Sequence, residues 1–157
     1  MAQSLNHSWD VIAYEVRMFH ATYGVILNSN KIKNLSNVIA NAIEESAVLH
    51  TRILCDVFLN KGMDPDDIQL STLFPIWYTN TKYQRIKRLA SALRKAYGSA
   101  QKLGSPCWVF NKMMAHPTAH RGKSYDYTTI LENLEPMIQN IISEIEHLRG
   151  DRFTWSW

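Results

Sequence analysis

The sequence predicts an all-α protein, an up-and-down bundle of four to five main helices in a single domain covering residues 1–157, and three observations carry that prediction. Apolar residues recur with a period near 3.6 over most of the 157 residues. Glycine and proline punctuate the ends of these runs, at Gly62, Pro75, Gly104 and Pro106. Strand-like alternation of useful length, internal repeats and low-complexity segments are all missing from the sequence. With 46% apolar and 20% charged residues, the chain has enough length for one proper core and no room for a second.

Taken in order, Ser8 can cap a first helix that runs to about Asn28, with Val11, Ile12, Val16, Phe19, Tyr23 and Ile26 or Leu27 on its apolar stripe. Asn34 or Ser36 opens a long second helix to Lys61, with Gly62 in the usual position just past its end. "DPDD" at 64–67 places a cap before proline at a first helical position, so a short helix is expected over Asp66 to Leu73, ended by Pro75. A third main helix spans Lys82 to Leu103, with Gly104 as its stop. "SPCW" starts a fourth, with Ser105 as cap and Pro106 at the first position; it finishes near His116, because Pro117 disfavours a helical residue before it. A last helix covers Tyr127 to Arg149 with a kink expected at Pro136. The aromatic tail, residues 150–157, places Phe153, Trp155 and Trp157 at alternate positions, either folded back on the bundle, the preferred reading, or buried in a second subunit.

Charge is laid out unevenly. From residue 68 to residue 125 there is no acid, whereas Lys82, Arg85, Lys87, Arg88, Arg94, Lys95, Lys102, Lys112, Arg121 and Lys123 supply ten positive charges; with +3 overall, the rest of the chain carries −7. Such a run is either a solvated helix face or a surface for phosphates or an acidic partner. Tyr78, Tyr83 and Tyr97 are interleaved with it, but no established nucleic-acid-binding motif accompanies them, and no helix-turn-helix spacing stands out for DNA. Cys55 and Cys107 lie in apolar helical patterns without C-x-x-C spacing and read as reduced core thiols. The first ten residues lack the features of a signal peptide and no apolar run reaches membrane-spanning length, so a cytoplasmic protein with no membrane association is expected.

Two stretches carry polar residues that ask for a role. In the second helix Glu45, Arg52 and Asp56 fall within about 20° of one line along the helix and share that side with Leu49 and Leu59. Arg52 is expected to be clamped between the two carboxylates, as a structural ion network or as part of a functional cleft. In "NKMMAHPTAHRG", residues 111–122, His116 and His120 have the spacing of two zinc ligands, but Pro117 interrupts the helix and no third ligand accompanies them, so no metal site is expected. No G-x-S-x-G elbow and no glycine-rich phosphate loop are present, which removes support for serine acyl chemistry and for ATP or dinucleotide binding; no cofactor is expected.

Three segments in order, "EESAVLHTRILCDVF", "MDPDDIQLSTLFPIW" and "FNKMMAHPTAHR", resemble the HEPN superfamily of bacterial helical proteins, close to its abortive-infection (AbiU-type) branch. Glu45, Ser46, His50, Arg52, Leu54 and Asp56 match its first pattern, Asp66, Asp67 and Trp77 its second, and Asn111, Lys112, Ala115, His116 and Thr118 its third, with Pro117 where leucine is usual. The resemblance covers roughly residues 40–145. It implies an all-α bundle, a homodimer, a role in phage defence or toxin–antitoxin systems, and either metal-independent cleavage of RNA or RNA binding by a degenerate relative. The family's RNases use an arginine, then four to six residues, then a histidine. Phe110, Val109 and Asn111 stand at those places before His116, and no other histidine has such an arginine. On this reading His116 moves the 2′-hydroxyl proton, Arg52 and Lys112 stabilise the phosphate, Asn111 positions it, and Glu45, Asp56 and Thr118 support the cleft. Lys82, Arg85, Lys87, Arg88, Arg94 and Lys95 form the expected nucleic-acid surface. The other reading is a non-catalytic interaction module that meets a second copy or a cognate protein partner.

Overall fold

A computed structural model describes residues 2–28, 35–62, 64, 66–74, 81–114 and 126–153. Among these, six helices form an all-α bundle: α1 (Ala2–Leu27), α2 (Asn37–Phe58), the single turn α3 (Leu70–Leu73), α4 (Gln84–Tyr97), α5 (Pro106–Met114) and α6 (Tyr127–Arg149). A 3₁₀ turn at Thr81–Tyr83 leads into α4. Helix α2 is central: it packs on α1, α4, α5 and α6, while α4 lies along α6.

The helix starts follow local chemistry. Ser36 caps α2 by accepting from Ile39 N at 3.4 Å, Ser105 caps α5 by accepting from Trp108 N at 3.2 Å, and Asp126 caps α6 by accepting from Thr129 N at 2.9 Å. Gly150, left-handed at φ 81°, closes α6 where its pattern ends. Helix α1 starts at Ala2 rather than Ser8, because residues 2–7 contain neither proline nor glycine to stop the turn from extending.

Three other boundaries differ from the sequence reading. Helix α2 ends at Phe58, and Asn60 (φ 52°) takes the left-handed conformation that was expected at Gly62. Gly62 is required for another reason: a Cβ there would sit 2.4 Å from Cβ of Asp67. Asp64 and Asp67 close a turn rather than start a helix, with Asp64 N donating to Oδ2 of Asp67 at 2.9 Å and Asp67 N to Asp64 O at 3.0 Å. Helix α4 stops at Tyr97, not Leu103, because Gly98 (φ 72°) ends it six residues before Gly104. The Ser105 hydroxyl, which donates to Ser99 O at 2.7 Å, holds the chain after Gly98.

The core gathers Ile12, Val16, Phe19, Tyr23 and Ile26 of α1, as the periodicity predicts, against α2 and against the 131–145 face of α6. Leu27, by contrast, is exposed. Trp9 lies edge-on to Phe74 with centroids 5.4 Å apart and 6.3 Å from Phe153, and the Arg149 guanidinium stands 4.4 Å above its ring. Phe153 N donates to Oε1 of Glu146 at 2.8 Å, and the ring is buried. The tail therefore folds back as far as Phe153; Trp155 and Trp157 lie outside the described residues.

Inside this apolar packing, Glu15 of α1 and His50 of α2 form a buried hydrogen-bonded pair, Oε2 to Nδ1 2.7 Å, 7% and 5% exposed. Removing one member leaves a buried polar group without its partner, which costs far more than replacing both. Glu15→Leu and His50→Leu should each lower unfolding stability by about 3 kcal/mol or more, whereas the double replacement should recover most of that loss. Denaturant titration of the four proteins checks this; additive single losses would mean the pair is not coupled.

Candidate functional site

The C-terminal half of α2, the chain just after it, and the facing parts of α4 and α5 converge on one polar cluster. Arg52 and Asp56, one turn apart, meet at 3.7 Å between Nε and Oδ2, each side chain about one-third exposed. Burial pushes the Asp56 carboxyl above its ordinary 3.8; Lys61, then Arg52, pull the other way without cancelling it. Lys61 follows the helix end, where its backbone N–H donates to Asp56 O at 2.9 Å. Its side chain reaches α5, with Nζ 3.2 Å from Sγ of Cys107 and 4.3 Å from the centroid of the Tyr97 ring. Asn111, one turn after Cys107, points its amide at the same sulfur, 3.9 Å away. Tyr97 is 1% exposed; burial holds its hydroxyl far above the ordinary range, with Cys55, Asp56 and Cys107 adding in the same sense.

Arg94 fixes the meeting of α4 and α2. Its Nη2 donates to Leu59 O at 2.7 Å, satisfying a carbonyl left free where α2 ends. Lys112 is half-buried, with Nζ 5.8 Å from the Trp108 ring.

Arg52 and Asp56 pair as their spacing expects, while Asn111 contacts Cys107, which Lys61 also touches; Lys61 and Cys107 are outside the site expected from sequence. Cys107 is indeed a buried free thiol, as is Cys55; unlike Cys55 it also has an amine and an amide within contact. Its place beside a capped helix start, with Asn111 one turn on, was the available signal. Lys61 gave none, since a lysine after a helix end is ordinary. Glu45 does not clamp Arg52. It lies two turns back, about 10 Å along the axis, is exposed, and with Asp126 raises the Glu44 carboxyl, whose leading cause is burial. His116 and Thr118, with Pro117, His120, Arg121, Lys123 and Trp77, lie outside the described residues.

The expected nucleic-acid surface on α4 divides into two groups. Ile86, Ala90, Leu93 and Tyr97 are buried, so Arg88 and Lys95 face solvent on the opposite side. Arg85 instead pairs with the buried Glu144 of α6, Nε to Oε2 3.1 Å, and Arg94 is the strut described above. Lys87 is half-buried and also engaged; the side chain of Lys82 is not described.

A cavity of about 440 Å³ opens beside the cluster, between α1, α2 and the 61–68 segment. Val11, Ile12, Ile53 and Ile68 give it apolar walls, and Asp56, Lys61 and Asp67 its polar ones. Among the described residues no group of three or more His, Cys, Asp or Glu side chains could hold a metal ion, and no helix is long and apolar enough to cross a membrane. No family model, no curated protein and no solved structure matches the chain.

Two outcomes follow from this geometry. Asp56 binds its proton more tightly in the folded chain than an unfolded aspartate does, so its contribution opposes folding increasingly as pH rises from 3.8 through its raised value. Asp56→Asn should remove that contribution, so its stability relative to wild type should rise with pH across this window in thermal melts at successive pH values; a pH-independent difference would contradict it. Gly62→Ala should cost about 1–3 kcal/mol, because the new methyl drives the 64–67 turn off α2; wild-type stability in the same melts would refute that close approach.

Proposed function

We propose that this chain is a HEPN-like protein of the phage-defence or toxin–antitoxin type that acts on RNA at the junction of α2, α4 and α5, as a metal-independent RNase or as an RNA-binding relative of one, in the cytoplasm and as a homodimer. The observation that carries the reading is the row Arg52, Asp56, Lys61, Cys107, Asn111. It joins the two segments with the strongest motif resemblance, and Asn111 lies on the helix that leads into His116.

In this mechanism His116 takes the proton of the attacking 2′-hydroxyl, and Arg52, the guanidinium missing from the usual place before the histidine, stabilises the crowded phosphate from α2. Asp56 orients Arg52, Lys112 adds charge and Asn111 positions the phosphate. Arg88 and Lys95 supply outward charge along α4 for the backbone of the bound strand. A second reading, a helical module that binds another copy or a protein partner without cleaving, draws support from Leu27, Val38 and Ile39, which are 54%, 79% and 49% exposed at the two ends that residues 28–36 connect.

The test is incubation with labelled RNA in EDTA. The first reading expects cleavage that leaves 2′,3′-cyclic phosphate ends. Loss of the proton carrier in His116→Ala should cost about 10²–10⁴-fold, and loss of the charge-stabilising donor in Arg52→Ala about 10²–10³-fold. Cleavage retained by both folded variants would remove this site from the chemistry. For the binding relative, the double variant Arg88→Glu/Lys95→Glu should weaken RNA binding and make its logarithmic salt slope shallower by about one to two. Salt-insensitive self-association with no RNA binding would favour the interaction module.

A further inference from the structure

The geometry points to a redox modification site where α2 meets α5: under peroxide, Lys61 and Cys107 form a covalent nitrogen–sulfur bond. The two atoms are already in contact, Nζ to Sγ 3.2 Å, although they lie 46 residues apart. The amine is held in place. Its backbone N–H is bonded to Asp56 O at 2.9 Å, and the Tyr97 ring lies 4.3 Å from the charged end. Cys107 is 4% exposed and does not line the 440 Å³ cavity, but Lys61 does, so a small peroxide entering that cavity arrives at the amine that touches the sulfur. The Asn111 amide, 3.9 Å from the sulfur, is a hydrogen-bond donor in reach of an oxygen placed on it.

The chemistry balances with peroxide as the only oxidant. The thiol sulfur attacks one peroxide oxygen, the O–O bond breaks, and Cys107 becomes a sulfenic acid with release of one water; sulfur is oxidised and peroxide reduced. The Lys61 nitrogen, having given one proton to solvent, then attacks that sulfur. An N–S bond forms, the S–O bond breaks, and the departing hydroxide takes a second proton from nitrogen to leave as water. One N–H remains, and the product is a sulfenamide, the same condensation that a sulfenic acid undergoes with a backbone nitrogen.

Formation of the bond is independent of what the domain acts on. Its consequence for activity rests on the RNA reading. The product removes the positive charge of Lys61, the largest of the influences holding the Asp56 carboxyl down, and it ties the end of α2 to the helix that carries Asn111 and Lys112. Oxidation would then alter the charge and the spacing of the proposed site together.

The experiment treats the full chain with hydrogen peroxide and maps it by proteolysis and mass spectrometry without reductant. The expected result is a peptide pair joined through Lys61 and Cys107, two hydrogen masses lighter than its parts and separated again by dithiothreitol. It should persist in Cys55→Ala. In Lys61→Gln it should fall to background, while Cys107 appears as a sulfenic acid trapped by dimedone. A Cys107 that stays reduced in the wild type, a Cys55–Cys107 disulfide that vanishes in Cys55→Ala, or oxidation of Cys107 with no link to Lys61 would each overturn the assignment. The wild-type map decides the matter even if a variant fails to fold, and RNA cleavage is read separately, so failure of the RNA reading leaves this result intact.

Discussion

The burial of α2 on several sides is the constraint on which the rest of the molecule depends. A helix that meets α1, α4, α5 and α6 cannot leave polar groups facing its neighbours without partners, since each would cost about 1–3 kcal/mol. His50 is met by Glu15, and Thr51 turns its hydroxyl back to Ala47 O at 2.7 Å. The same demand falls on its last carbonyls. Cys55 O, Asp56 O and Val57 O accept from Leu59, Lys61 and Asn60, and Leu59 O accepts from Arg94. The end of α2 is thus tied to its own following chain and to α4, and that tie delivers Lys61 to Cys107.

What was legible in the sequence was local. Ser36 and Ser105 declare helix starts because a cap acts over three residues, and the last helix, Tyr127 to Arg149, has its expected ends because Gly150 follows the pattern directly. Where a helix ends before the glycine expected to stop it, the tertiary setting decided. Gly98 ends α4 ahead of Gly104, and Asn60 takes the turn reserved for Gly62 while Gly62 makes room for Asp67. Pairings across the fold were not legible. Glu15 and His50 are 35 residues apart, and nothing in a single sequence matches one buried acid to one buried histidine.

The candidate site shows the same division. Arg52 and Asp56 could be paired from their spacing alone. Glu45, on the same line two turns away, could not reach them, because alignment on a helix face does not bring side chains together beyond one turn. Asn111 joins the cluster through a sulfur that reads as inert when only apolar pattern is considered. A fully buried thiol such as Cys55, which burial pushes well up, offers little chemistry; one with an amine and an amide in contact does.

The acid-free span from 68 to 125 illustrates why a charge run does not by itself define a binding surface. Its cations have partners that the run cannot show, because those partners come from other parts of the chain. Arg85 meets Glu144, which lies 59 residues later on α6 and would otherwise be a buried carboxylate without a counterion. Arg94 satisfies a carbonyl of α2 and so holds the polar cluster together from behind. Part of the excess positive charge therefore builds the bundle, and the part that faces outward, Arg88 and Lys95, is set by the helical period that buries Ile86, Ala90, Leu93 and Tyr97 on the other side. A phosphate backbone drawn to α4 would meet those two side chains first, while the guanidiniums on its flanks stay committed to the fold.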